Sequence, residues 1–218
     1  MDPPFLTVTV YPDPGDDRTI EDVRGMLLER GARADDDGYF VERRRRMRVQ
    51  QLPHWDEPGC RLVQILMSAG PLGDPGYARR EMVTFARYVT GLLVAVADRV
   101  RPLYGGIGAE QIFPTPDHLR KGIGAQGFVT DPFFVRRDLL ARADLAAVLT
   151  GEYRKAVDCS AGTVFASWWP FVDGQPSSPG GLPIDGTWAG GQKLGQVVTR
   201  YVVERERAAQ NGDETTGR

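Results

Sequence analysis

Two glycine-rich phrases carry the spacing closest to a known chemical motif. Gly-Ile-Gly-Ala occurs at 106–109 and again at 122–125, and each copy runs on to a proline. The second copy fits the dinucleotide fingerprint G-x-G-x-x-G through Gly122, Gly124 and Gly127. That fingerprint binds a pyrophosphate when it follows a strand and begins a helix. Here the sequence FVTDPFF follows, and its β-formers and proline cannot begin a helix. We therefore interpret these glycines as tight turns or close backbone approaches, and we expect no cofactor.

A run of positive charge, RRRRMR, places five arginines in six positions from Arg43 onward. Such a run could contact an anion, a nucleic acid or an acidic protein. On a strand, neighbouring side chains point to opposite faces, so the run cannot lie wholly on one surface. The alternative is an edge strand whose arginines are solvated or paired with acids, such as the DDDG turn at 35–38 or Asp56 and Glu57. Arg43 and Arg45 are the candidate binding residues of the run.

The two histidines lack the spacing of paired zinc ligands. His54 stands in LPHWDEPG, where Trp55 and two acids make a polar and aromatic loop of the kind that carries function. His118 follows a helix-start signal in TPDHLR. With only two cysteines, Cys60 and Cys159, the chain has too few thiols for a disulfide framework, and we expect no metal site.

No residue stands out as a catalytic nucleophile. The chain lacks the pattern G-x-S-x-G, and its serines have no base beside them in the sequence. If the protein does bind or convert a small molecule, the residues to test are His54, Tyr104, Glu110 and Trp168. We assign no catalytic residue.

Aromatic residues supply a second kind of candidate. Trp168 and Trp169 are adjacent in SWWPF, so on a strand they point to opposite faces, one toward the core and one outward. Exposed tryptophan and tyrosine beside arginine are typical of protein-binding hot spots. Core packing is the alternative for each of them.

Hydrophobic periodicity predicts the elements that position these candidates. In chain order they are a strand at 5–11, a helix at 19–30, strands at 39–49 and 61–68, a helix at 74–100 and a strand at 103–110. Thr19 and Asp22 form a predicted capping box, and Gly31 ends the first helix. The order is the ferredoxin-like βαββαβ pattern of an α+β fold, with both helices on one face of an antiparallel sheet.

Residues 1–112 therefore form the predicted core, and 113–206 form an α+β extension packed on it as one compact unit. The extension contains a predicted strand at 128–135, a helix at 139–149, a hairpin of 153–159 with 163–168, and a closing helix at 192–205. Residues 207–218 are predicted to be a disordered tail.

Composition limits the partners of the chain. Its 218 residues carry 27 basic and 29 acidic side chains, a net charge of −2, which makes an extended nucleic-acid groove unexpected. No apolar run is long enough to cross a membrane, and the N-terminus lacks the features of a signal peptide. We expect a cytoplasmic protein in a reducing compartment. The preference for arginine over lysine indicates a bacterial genome rich in G and C.

The segments LYGGIGAEQIFPTP, at 103–116, and FASWWPF resemble actinobacterial proteins similar to polymorphic-toxin immunity proteins. The resemblance covers about 20 of the 218 residues. It implies a small α+β cytoplasmic protein that binds and neutralises a cognate toxin, and it supplies no catalytic residues.

Three functions are consistent with these patterns. The first is a non-enzymatic protein-binding module, such as an immunity-type inhibitor of a toxin. The second is a small-molecule enzyme or ligand-binding protein of bacterial specialised metabolism. The third is a nucleic-acid-binding regulator that uses Arg43–Arg48.

Overall fold

The protein has a mixed α+β fold in a computed structural model. The structure describes residues 5–53, 61–69, 79–109, 113–122, 128–167, 182–183 and 187–215. Its strands are β1 (Phe5–Tyr11), β2 (Arg33–Ala34), β3 (Phe40–Glu42), β4 (Arg45–Pro53), β5 (Arg61–Ser68), β6 (Tyr104–Ala109), β7 (Phe128–Val129), β8 (Phe133–Arg136), β9 (Lys155–Asp158), β10 (Gly162–Ala166) and β11 (Leu182–Pro183). Its helices are α1 (Thr19–Glu29), α2 (Arg79–Val100), α3 (Pro116–Arg120), α4 (Arg137–Leu140), α5 (Leu145–Glu152) and α6 (Ala189–Thr215).

Nine of these strands form one antiparallel sheet in the order β2-β3-β4-β5-β1-β6-β8-β10-β9. The α+β class is confirmed, but the sheet is larger than a four-stranded ferredoxin-like sheet. In a four-stranded ferredoxin-like sheet β6 would be an edge strand, but here its outer edge pairs with a further strand. Gly105 pairs there with Phe134 of β8, and the hairpin of β9 and β10 continues the sheet beyond β8. The C-terminal part therefore extends the sheet as well as covering it.

Side-chain alternation along the strands divides the core into two layers. Leu6, Val8 and Val10 of β1 point to one face, where they pack with the apolar stripes of α1 and α2. Phe133 and Phe165 point to the opposite face and pack with residues of α3, α4, α5 and α6. Each helical layer thus covers its own side of the sheet.

The sequence predicts the C-terminal end of α1 correctly but not the hydrogen bonds at its N-terminal end. Gly31 follows α1 with a φ of 92°, as its predicted role at the end of the helix requires. The predicted capping box of Thr19 with Asp22 is wrong. Asp22 N donates to the Arg18 carbonyl at 2.9 Å, and the Thr19 hydroxyl donates to Asp16 at 3.0 Å. The Asp16 carboxylate also accepts from the Arg18 N–H at 3.0 Å, so it binds the residues at the start of the helix from outside it.

Four predicted elements have different limits in the structure. The strand expected at 39–49 is divided into β3 and β4 by a turn, and the helix expected at 139–149 is divided into α4 and α5. Each break lies at two consecutive non-glycine residues with positive φ, a conformation that their side chains do not favour. The strand expected at 128–135 is two strands, because β7 pairs with β11 in a separate sheet and β8 pairs with β6 and β10. The closing helix α6 runs to Thr215, into residues whose composition predicts a tail.

The predicted hairpin of 153–159 with 163–168 is present as β9 and β10. Within the described part of the chain, no helix is both long enough and apolar enough to cross a membrane.

Candidate functional site

The arginine run lies on a tight β-hairpin. Arg43 and Arg44 form the two-residue connection between β3 and β4, and Glu42 pairs with Arg45 across it. Their φ angles are 47° and 70°. A two-residue turn with both φ angles positive is normally built from Asn-Gly, because an ordinary side chain in this conformation costs roughly 1–2 kcal/mol. This strained turn holds two guanidinium groups at the tip of the hairpin.

A groove of about 560 Å³ runs between this hairpin, the end of β5 and the first described turn of α2. We call it the arginine groove, and its described lining residues are Arg43, Arg44, Arg45, Arg46, Met67, Ser68, Arg80, Glu81, Thr84 and Phe85. Met67 and Phe85 are 3% and 4% exposed and belong to the core, so they supply an apolar floor beneath the guanidinium groups.

Two of the arginines are held in place by other side chains. Arg46 lies 3.0 Å from Asp35 and 2.7 Å from Asp37, which confirms the predicted pairing with the DDDG turn. The predicted edge strand is wrong, because β4 lies between β3 and β5 in the sheet. Arg45 has its guanidinium carbon 4.2 Å from the centre of the Tyr88 ring, within the range of a cation–π contact.

Arg43 and Arg44 at the tip differ from their two neighbours. Both side chains are exposed, and within the described residues neither forms an ion pair or a side-chain hydrogen bond. A guanidinium group without a carboxylate partner keeps all its donors available for a ligand.

A buried polar link supports the groove from beneath. Glu42 is 5% exposed, accepts a hydrogen bond of 2.7 Å from the Tyr88 hydroxyl and lies 3.5 Å from the Arg30 guanidinium. Burial raises the pKa of Tyr88 well above its ordinary range, and the hydrogen bond to Glu42 adds to that effect. The Tyr88 hydroxyl therefore stays protonated as a donor, and its ring stays fixed under Arg45.

The groups that line the groove are suited to binding an anion. Guanidinium groups form forked hydrogen bonds with carboxylates and phosphates, and an apolar floor accepts an apolar side chain between them. Its described lining includes no histidine, cysteine or aspartate. Among the described residues, no group of three His, Cys, Asp or Glu side chains could hold a metal ion.

Tyr104, another sequence candidate, does not join this groove. Tyr104 is fully buried, donates a hydrogen bond of 2.9 Å to the Pro114 carbonyl and stacks on Tyr11 at 5.0 Å. These contacts give it a packing role inside the second core layer. The remaining candidates lie outside the described residues: His54, Trp55, Glu110, Trp168 and Trp169.

The first glycine phrase is confirmed as a close backbone approach. A Cβ atom on Gly105 would lie 2.9 Å from the Thr9 carbonyl oxygen, and one on Gly106 would lie 2.9 Å from that of Pro132. In the second phrase, Gly122 follows α3 with a φ of 68°, so it ends a helix, whereas the dinucleotide fingerprint would begin one.

Sequence reasoning included Arg44 in the arginine run but missed Arg80 and Tyr88 as parts of the site. Arg80 and Tyr88 come from α2, which the pattern predicts correctly, but their position beside the hairpin depends on tertiary packing. No glycine, asparagine or aspartate marks the turn at Arg43 and Arg44. The one available signal is the density of arginine itself.

A second cluster of charge shows the opposite arrangement, and we call it the Arg136 network. The Arg136 side chain is 11% exposed and lies 2.6 Å from both Asp13 and Asp138. Tyr201 of α6 places its ring 4.9 Å from the same guanidinium carbon. Burial alone would raise the pKa of Asp138, but its hydrogen bonds with Arg136 and the positive charge outweigh burial and hold that pKa below its ordinary value. This network joins β8 to the loop after β1 and to α6.

Comparison with known proteins gives no family model, no characterised protein and no solved structure that matches this chain. The resemblance of 103–116 and FASWWPF to immunity proteins stays a prediction.

Proposed function

We propose that this protein is a non-enzymatic binding module whose arginine groove receives an acidic segment of a partner protein. The observation that carries the proposal is the strained turn at Arg43 and Arg44. A hairpin that tolerates two left-handed arginines, where Asn-Gly would be more stable, keeps those side chains for a reason other than folding. Backbone strain of this kind is concentrated at functional sites.

A protein partner fits the groove better than a nucleic acid. Its buried floor of Met67 and Phe85 favours a ligand that carries apolar side chains as well as negative charge. Proteins that bind nucleic acids are normally basic overall, whereas this chain has a net charge of −2. An acidic polypeptide segment with apolar residues meets both requirements.

An immunity-type inhibitor that neutralises a cognate toxin in the bacterial cytoplasm is the form of this function that we favour. The segments 103–116 and FASWWPF support it by their resemblance. We also interpret the strand order β4-β5-β1-β6, with α1 and α2 on one face, as a ferredoxin-like βαββαβ unit inside the larger sheet. A rigid unit of this kind would present the hairpin with little loss of entropy on binding.

The test uses a fluorescent peptide that alternates glutamate and leucine, and a second peptide with glutamine in place of glutamate. Anisotropy at low salt should detect binding of the first peptide, and added salt should weaken that binding. The double variant Arg43→Asn/Arg44→Gly should bind about tenfold more weakly, because it removes charge-assisted hydrogen bonds. It should also raise the free energy of unfolding by about 1 kcal/mol, because it relieves the turn.

Arg48→Gln is the matched control. Arg48 is exposed on β4, one residue from the core residues Met47 and Val49, so its side chain leaves the strand on the other face of the sheet. This variant should bind the glutamate peptide like the wild type. Equal binding by the double variant and the wild type would contradict the proposal. Tight binding of single-stranded DNA that the double variant loses would favour the nucleic-acid regulator instead.

A further inference from the structure

A second cleft lies on the opposite side of the sheet, where the connection between α4 and α5 faces α6. It has a volume of about 440 Å³, and we call it the α6 cleft. Its lining residues are Arg142, Ala143, Lys193, Gln196, Val197, Arg200 and Glu204. A volume of this size falls within the range of small-molecule sites, roughly 300–1,000 Å³.

The spacing of the α6 residues explains why they share the cleft. Lys193, Val197, Arg200 and Glu204 recur at intervals of three or four residues, so they form one stripe along the helix. Val197 is 6% exposed and belongs to the core, which makes it the apolar base of the cleft. The charged residues of the stripe stand on either side of it.

Positive charge in the cleft exceeds negative charge. Three basic side chains and the single carboxylate of Glu204 leave a formal charge of +2 among the lining residues. Within the described residues, neither Lys193 nor Arg200 forms an ion pair or a side-chain hydrogen bond. Such a surplus attracts an anion, and a low-dielectric wall strengthens the attraction.

The remaining cation is already oriented. Arg142 Nη1 lies 2.8 Å from Glu204, and the Tyr201 ring lies 5.4 Å from the guanidinium carbon. The carboxylate engages Nη1, so the other guanidinium donors remain for a ligand. A side chain that is held before binding loses less entropy when the ligand arrives.

The backbone beside Arg142 repeats the feature seen at the hairpin. Ala143 and Asp144 have φ angles of 52° and 53°, again two consecutive left-handed residues that are not glycine. The Leu145 N–H donates to the Arg142 carbonyl at 3.1 Å, and the buried Leu145 fixes the far side of the connection. The hydrogen bond and the packing of Leu145 therefore hold this strained connection, and with it Arg142, beside α6.

We propose that the α6 cleft binds a small organic phosphate. A phosphate group carries a charge of about −1.5 to −2 at neutral pH and several acceptor oxygens, which suits three cations that approach from two elements. A single carboxylate carries only one charge and satisfies fewer donors. This site is independent of the arginine groove, because the two lie in different core layers.

Isothermal titration calorimetry with pyrophosphate, at constant ionic strength, tests this site in the full chain. Lys193→Gln and Arg200→Gln should each weaken binding about tenfold, as expected for the loss of one charged hydrogen-bond donor. The matched control is Arg207→Gln, which removes an exposed charge from the same helix outside the cleft. It should bind like the wild type, and circular dichroism should show that all three variants are folded.

Two further titrations test the preference for phosphate and the location of the site. Malonate, a dicarboxylate, should bind more weakly than pyrophosphate, and the Arg43→Asn/Arg44→Gly variant should bind pyrophosphate like the wild type. The proposal is overturned by the absence of pyrophosphate binding, by equal binding of malonate, or by equal effects of the cleft and control substitutions. Loss of binding in the Arg43→Asn/Arg44→Gly variant would overturn it too, because the phosphate would then lie in the arginine groove.

Discussion

The arginine groove and the Arg136 network use the same side chain for opposite purposes. Arg136 is nearly buried and has Asp13 and Asp138 within 2.6 Å, so its charge is neutralised inside the fold. Arg43 and Arg44 are exposed and have no carboxylate partner within the described residues. The first arrangement fixes helices to the sheet, whereas the second leaves charge available to another molecule.

The surroundings of an arginine decide its role in this fold. A buried guanidinium must be paired, because an unpaired charge away from water costs several kcal/mol. An exposed guanidinium group remains hydrated, so it can stay unpaired until a ligand binds.

The largest expected effect follows from removal of the buried guanidinium. Arg136→Gln should lower the free energy of unfolding by roughly 2–3 kcal/mol, because Asp13 and Asp138 lose their common partner and only Asp13 keeps another, Arg205. Arg44→Gln should change it by less than about 0.5 kcal/mol, as is usual for a surface site. Urea denaturation of both variants measures the difference. Equal losses would show that the two arginines do not differ in role.

The next largest expected effect concerns one glycine in each of the two helical layers. A Cβ atom on Gly195 of α6 would lie 2.8 Å from the Leu119 carbonyl carbon, whereas one on Gly91 of α2 would meet nothing within 4 Å. Gly195→Ala should therefore lower the free energy of unfolding by about 2 kcal/mol through overpacking against α3. Gly91→Ala should raise it by about 0.5–1 kcal/mol through helix propensity. Thermal or urea unfolding checks both signs, and a stabilising Gly195→Ala would contradict the close packing of α3 on α6.

A smaller effect concerns the support of the groove. Tyr88→Phe should lower the free energy of unfolding by about 1 kcal/mol, because buried Glu42 loses a hydrogen-bond donor. The aromatic ring beneath Arg45 is retained, so binding of the glutamate peptide should stay within about twofold of the wild type. Urea denaturation and anisotropy on the same sample separate the two results. A tenfold loss of binding without a loss of stability would assign the hydroxyl to recognition.

The smallest effect appears at acid pH in the Arg136 network. The pKa of Asp138 is held below its ordinary value of 3.8, so its pairing stabilises the fold above that pH and is lost as the pH falls through the lowered pKa. The stability difference between the wild type and Arg136→Gln should shrink on acidification by about 0.5 kcal/mol, a modest figure because Asp138 is half exposed. Urea denaturation at neutral and acid pH measures this change. A difference that grows on acidification would mean that the pairing raises the pKa instead.

The sequence alone determined the elements whose signals are local. The strand at 5–11, the long helix that includes Arg79–Val100 and the end of α1 at Gly31 follow from periodicity and from the freedom of glycine. The pairing of Arg46 with the DDDG turn was also predictable, because the two segments are close along the chain.

Only the tertiary structure decided the two clefts. Periodicity predicts a strand through Arg43 and Arg44 and a helix through Ala143 and Asp144, and in both places the chain turns against its local preference. The addition of β8 to the β6 edge likewise depends on residues far apart in sequence. Long-range packing supplies the energy that holds these residues in strained conformations, and a single sequence carries no local signal of it. The positions of the unpaired arginines, and with them the proposed function, come from that packing.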